Sequence, residues 1–154
     1  DEYLVEGISE ELINALARSE NLRVIARAST VSFKDGDRNL ADNLRLYLDQ
    51  ARRWKQLDAL YPKLIAAYPD DYVYAWRYGR SLIERGEVEM ALPWLAQAAP
   101  KAYGLNRLTV AQTLAEALVR LGRVDEAKQV VAEALKANGP FFPEQAARLK
   151  AAVS

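Results

Sequence analysis

From Tyr72 onward the apolar positions return every three or four residues and then break at a glycine. Val73, Trp76, Tyr78, Leu82 and Ile83 hold helical spacing. Gly86 ends that run, because glycine takes the left-handed conformation that other residues reach only against steric strain. Glu87 opens a partner helix carrying Val88, Ala91, Leu92, Leu95 and Ala98 on one face. The pattern then recurs. Tyr78 to Leu92 aligns with Leu114 to Lys128, so Gly86 meets Gly122, Val88 meets Val124 and Ala91 meets Ala127, each 36 positions apart. A weaker copy precedes both: Leu44, Leu48, Trp54, Leu57, Tyr61 and Leu64 fall 34 positions before Tyr78, Leu82, Val88, Ala91, Leu95 and Ala98. A period of this size marks helix pairs that bury their apolar faces by stacking on their neighbours.

The punctuation fits helix pairs. Pro69-Asp70-Asp71 stops one helix and caps the next, and Asn138-Gly139-Pro140 closes the third copy in the same way. Ala91 and Ala127 are small enough to let the two helices of a pair approach closely. Turn glycine, second-helix alanine and closing proline in register resemble the tetratricopeptide repeat (TPR). The resemblance implies a mostly α fold: a right-handed TPR array of three helix pairs over 38–141 (38–71, 72–107 and 108–141), plus a capping helix over 142–154. Two extra residues of the middle copy fall in Pro100-Lys101-Ala102-Tyr103-Gly104. The first copy departs most, with Arg45 where Gly79 stands in the second and Leu57 where Ala91 stands. In the cap, Glu144, Gln145, Arg148 and Lys150 are expected outward, and Ala146, Ala147 and Leu149 inward over the last apolar face.

Residues 1–37 do not follow the period. Ser9 to Arg18 reads as an amphipathic helix capped by Ser9, with Glu10 and Glu11 favourable in its first turn. Leu22, Arg23, Val24, Ile25, Ala26, Arg27 and Ala28 alternate and read as a strand. With the helix, this stretch resembles the TolB-like amino-terminal domain that precedes TPR arrays in bacterial adenylate cyclases and related regulators. The resemblance implies a bacterial signalling protein whose output domain is not part of this chain, and the opening Asp1 reads as an excised piece or processed product. A lone strand cannot satisfy its own backbone groups. Residues 22–28 are therefore expected either to form a hairpin with 31–34 on the first repeat, or to pair with the same strand of a second copy in a C2 homodimer.

Composition narrows the chemistry. The 154 residues hold no histidine and no cysteine. That excludes disulfides, thiolate metal sites, cysteine nucleophiles and any triad or zinc site needing imidazole. Lys+Arg and Asp+Glu are 21 each, so the chain is neutral and not a generally basic nucleic-acid binder. No apolar run reaches the roughly 18–20 residues of a membrane span, so direct membrane insertion is not expected. The carboxylate pairs Glu10-Glu11 and Asp70-Asp71 sit at helix starts and read as caps. Asp35-Gly36-Asp37-Arg38-Asn39 opens like a calcium loop, but Leu40 and Leu46 occupy the positions that need glycine and glutamate. No cofactor or metal is expected.

Binding has better candidates. In a stack of this kind the first helix of each pair lines the concave surface. Its outward positions are Asp42, Leu46 and Asp49 in the first copy, Val73, Trp76, Arg80 and Ile83 in the second, and Gln112, Glu116 and Val119 in the third. Trp76 and Arg80, four apart, form an aromatic–cation pair of the type enriched at interaction hot spots; the competing reading makes Trp76 inter-repeat core. A clamp for a carboxylate terminus, which needs Lys and Asn at matching positions, is not supplied. Trp54, Trp94, Tyr61 and Tyr78 read as core, and Arg52, Arg53, Arg77, Arg80 and Arg85 as a solvated face. The expectation is a non-catalytic scaffold with a protein or peptide partner that self-associates through the amino-terminal strand. The alternative is a ligand- or peptide-sensing groove at Trp76 and Arg80.

Overall fold

Residues 38–154 of the computed structural model form seven α-helices and one 3-10 turn, with no strand among them. The helix–strand reading of 1–37, including the pairing candidates 22–28, lies outside these described residues. The helices are α1 (Arg38–Gln50), α2 (Trp54–Ala67), α3 (Tyr72–Glu84), α4 (Val88–Ala98), α5 (Gly104–Arg120), α6 (Val124–Asn138) and α7 (Pro143–Ala151). They divide into two compact units, one ending at Ala67 and the other spanning Tyr68–Ser154.

One turn builds every helix pair. After α1, Arg52 takes φ +53, its N–H donates to the Asp49 carbonyl at 3.0 Å, and the Arg53 N–H donates to Leu48 at 2.9 Å. After α3, Gly86 takes φ +84, with Gly86 donating to Ile83 at 3.0 Å and Glu87 to Leu82 at 2.8 Å. After α5, Gly122 takes φ +74, with Gly122 donating to Val119 and Arg123 to Leu118, both at 2.9 Å. Each is the paired 6→1 and 5→2 closure of a Schellman motif, which satisfies carbonyls the helix end would otherwise strand. The next residue then starts the partner helix: the carbonyls of Arg53, Glu87 and Arg123 accept from Leu57, Ala91 and Ala127 at 2.9, 3.3 and 3.1 Å. Positions 52, 86 and 122 thus carry the repeat in the backbone itself. The first is an arginine, which is why glycine spacing reveals only two of the three turns.

In the first unit α1 buries Ala41, Leu44 and Leu48, and α2 buries Leu57, Leu60, Tyr61, Leu64 and Ile65. Both patterns follow the 3.6-residue period.

In the second unit Asp71 caps α3, its side chain accepting from the Val73 N–H at 2.8 Å. Helices α3 and α4 meet where the side chain is missing. A Cβ added at Gly79 would lie 2.6 Å from Cγ and Cδ2 of Leu95, itself fully buried. Tyr78 and Trp94 pack beside this contact with ring centroids 5.1 Å apart. Ala91 and Ala127 are fully buried, as their small size suggested, while Val88 and Leu92 are half-buried at the edges of their seam. Helices α3, α5 and α7 form one layer, and α4 and α6 pack on α5 from the other side.

Two details differ from the expected pattern. The two extra residues of the middle copy are not confined to 100–104: α4 has 11 residues where α2 has 14, and α5 has 17 where α3 has 13. In α7, Ala146 and Leu149 are buried but Ala147 is exposed, because its position in the helical turn carries it off the α5 side.

Candidate functional site

The layer of first helices in the second unit presents a polar face built around one aromatic. Trp76 is half-buried on α3, and its indole N–H donates to Thr113 Oγ1 of α5 at 3.1 Å. The Thr113 hydroxyl spends its own proton on the Thr109 carbonyl at 3.1 Å, so its lone pairs are left to receive the indole. Arg80, one turn along α3, holds its guanidinium carbon 5.5 Å from the Trp76 ring centroid and reaches Glu84 at 3.5 Å. Trp76 is thus both seam and surface, with one edge tied into the α3–α5 contact and its face covered by an exposed cation. The Arg80–Glu84 pair, with side chains 52% and 68% exposed, adds little stability and keeps its charge available to solvent.

A chain of amides continues the face. Gln145 of α7 donates to the Gln112 side-chain oxygen on α5 at 2.9 Å, and the Gln112 amide donates to Glu116 at 2.8 Å. Gln145, expected to point outward, is half-buried and bonded across helices. Of the expected groove residues, Trp76, Arg80, Gln112 and Glu116 therefore come together in bonded groups on this face. Val73 and Ile83 are half-buried on α3, and Val119 is 37% exposed on α5. Asp42, Leu46 and Asp49 lie on α1 in the first unit; Leu46 is 44% exposed, and Asp42 sits 3.9 Å from Arg45 Nε. Thr113 was not singled out from the sequence and Gln145 was read only as a solvent-facing residue of the cap, since their partners lie 37 and 33 positions away.

A second feature escaped the sequence reading. Helices α4 and α6 do not pack along each other, and between them runs an open trough of about 440 Å³ floored by Leu114 and Leu118 of α5. Arg123 stands on its rim and bonds both carboxylate oxygens of Glu126 at 2.7 Å. That pairing lowers the Glu126 carboxyl below its ordinary pKa and raises the Arg123 guanidinium above its own. Near the connection that precedes α5, Tyr72 packs edge-on against Tyr103 with centroids 5.8 Å apart. Burial, and then the neighbouring Tyr103, push the Tyr72 phenol above its usual pKa, against a hydrogen bond from Asn106 and the charge of Arg77.

Among the described residues no group of acidic side chains is gathered closely enough to hold a metal ion, and no helix is long and apolar enough to cross a membrane. Comparisons with family models, with curated proteins and with solved structures gave no match to this chain.

Proposed function

We propose that this chain is a non-catalytic repeat scaffold of the TPR kind, whose α3–α5–α7 face receives a protein or peptide partner. The observation that carries the reading is the Trp76–Arg80 pair. Its indole edge is fixed by Thr113 while its cation stays exposed, so a partner meets an aromatic–cation surface that needs no reordering. The three identical turns at 52, 86 and 122 support the repeat assignment. A peptide or metabolite library screened by tryptophan fluorescence tests the face. Ligands are expected to shift the emission of the parent chain and to leave Trp76→Phe unshifted; a library that never perturbs Trp76 ends this reading.

The second reading is self-association through residues 22–28, favoured by the alternating, β-branched sequence of that segment. Light scattering is expected to give twice the chain mass, falling to a monomer in Ile25→Pro, which removes a ladder donor. A monomer in both samples would leave the face as the site.

A further inference from the structure

We propose that the trough between α4 and α6 is a second docking site, on the opposite layer from the Trp76 face, and that it takes an amphipathic helix carrying lysine or arginine beside its apolar stripe. The inference goes beyond the face reading and does not depend on it. The floor is Leu114 and Leu118, and the walls are Leu92 and Ala96 of α4 and Val130 of α6. A neighbouring hollow of about 330 Å³ shares Ala96, Leu114, Val130 and Glu133 with it, so the two form one continuous trough.

Shape decides the conformation of the occupant. Along α6 the lining runs from Arg123 to Ala134, which at about 1.5 Å per residue is roughly 16 Å, or about three helical turns. Both walls are helices whose backbone groups are largely spent internally, so an added strand would find little to pair with. An apolar helical face needs only side chains to pack on.

Charge decides its composition. The rim carries Glu89, Glu126 and Glu133 against Arg123, with Arg107 farther along. Arg123 is committed to Glu126 by two short bonds and also feels Glu89 in the first turn of α4. Arg107 lines the same hollow as Glu133 in the third turn of α6, so three carboxylates against two guanidiniums leave the rim with one net negative charge. A cationic flank is complementary to that rim, and an acidic one is repelled.

The test is a display selection of helical peptides of about 14 residues, long enough for the trough, on the immobilised full chain. Affinities of the selected sequences are then measured by fluorescence anisotropy. The expected winners join leucines at helical spacing to lysine or arginine. They should bind more weakly as salt rises, and lose about tenfold or more in affinity for Ala96→Trp and for Glu133→Lys, with little change for Arg80→Glu. Ala96 and Glu133 are both exposed, so these changes leave the core alone, and each variant checks the other. Uncharged or acidic winners, equal binding to Ala96→Trp and Glu133→Lys, or no winner at all would overturn the proposal. Winners lost only with Arg80→Glu would overturn the trough while leaving the Trp76 face standing.

Discussion

Where α3 carries Gly79, α1 carries Arg45; where the second turn has Gly86, the first has Arg52; where α4 presents Ala91, α2 presents Leu57. Three small residues of the α3–α4 pair are all large in the pair before them, yet both pairs close with the same turn hydrogen bonds. The differences appear in the packing. Gly79 lets Leu95 press onto the α3 backbone, whereas Arg45 is folded in with its side chain only 11% exposed and its Nε buried without a hydrogen bond. Helices α1 and α2 accordingly meet over a shorter seam than α3 and α4. Topology is thus held by the backbone closure of the turn, and the small residues set how tightly a pair packs once the turn is made.

The largest effects should come from swapping the alanine and leucine positions. Leu57 is fully buried, so Leu57→Ala should cost about 2–5 kcal/mol through the cavity it leaves. Ala91→Leu should cost about 1–3 kcal/mol by overfilling the α3–α4 seam. Urea denaturation measures both, and a swap tolerated in either direction would break the comparison. Next comes Gly79→Ala, whose methyl would collide with Leu95. Overpacking of about 1–3 kcal/mol exceeds the roughly 1 kcal/mol that alanine contributes to a helix, so the variant should be destabilised. In a Leu95→Ala background the collision is gone, and the same change should stabilise by about 1 kcal/mol. A cycle without that change of sign would mean close approach is not what Gly79 provides.

Smaller, and opposite in sign, are the turn residues. Arg52 holds φ +53 with a side chain that resists it, so Arg52→Gly should stabilise by about 1 kcal/mol, while Gly86→Ala should cost about as much. Helix-resolved hydrogen exchange assigns each change to its pair. The smallest effect is alkaline. Because the folded Tyr72 pKa is raised, its contribution is present in full below the ordinary tyrosine pKa and is lost as pH climbs through the folded value. Tyr72→Phe should flatten that part of the stability profile; an unchanged slope above about pH 10 would assign the effect to another tyrosine.

The sequence made the helix pairs legible because their signals are local. Gly86, Gly122 and Asp71 each announce a boundary within a few residues of where they act. Arg52 performs the same closure unannounced, since the cue for that turn is glycine and the backbone can adopt it without one. Trp76 divided into a core reading and a surface reading, and it is both, because one edge of an indole can be bonded in the seam while its face is covered only by an exposed cation. Thr113 was invisible and Gln145 was placed outward for a different reason: what makes them part of the face is the approach of α5 to α3 and to α7. The trough was missed likewise. Its alanines look like helix filler until α4 and α6 are seen standing apart on α5.

The bond from Trp76 to Thr113 makes the stack its own gauge. A repeat array bends by summing small rotations between successive units, and a rotation of α3 against α5 must lengthen or shorten this one contact. The environment of the indole therefore follows the angle between α3 and α5, and its emission, isolated by replacing Trp54 and Trp94 with phenylalanine, is expected to report changes in that angle.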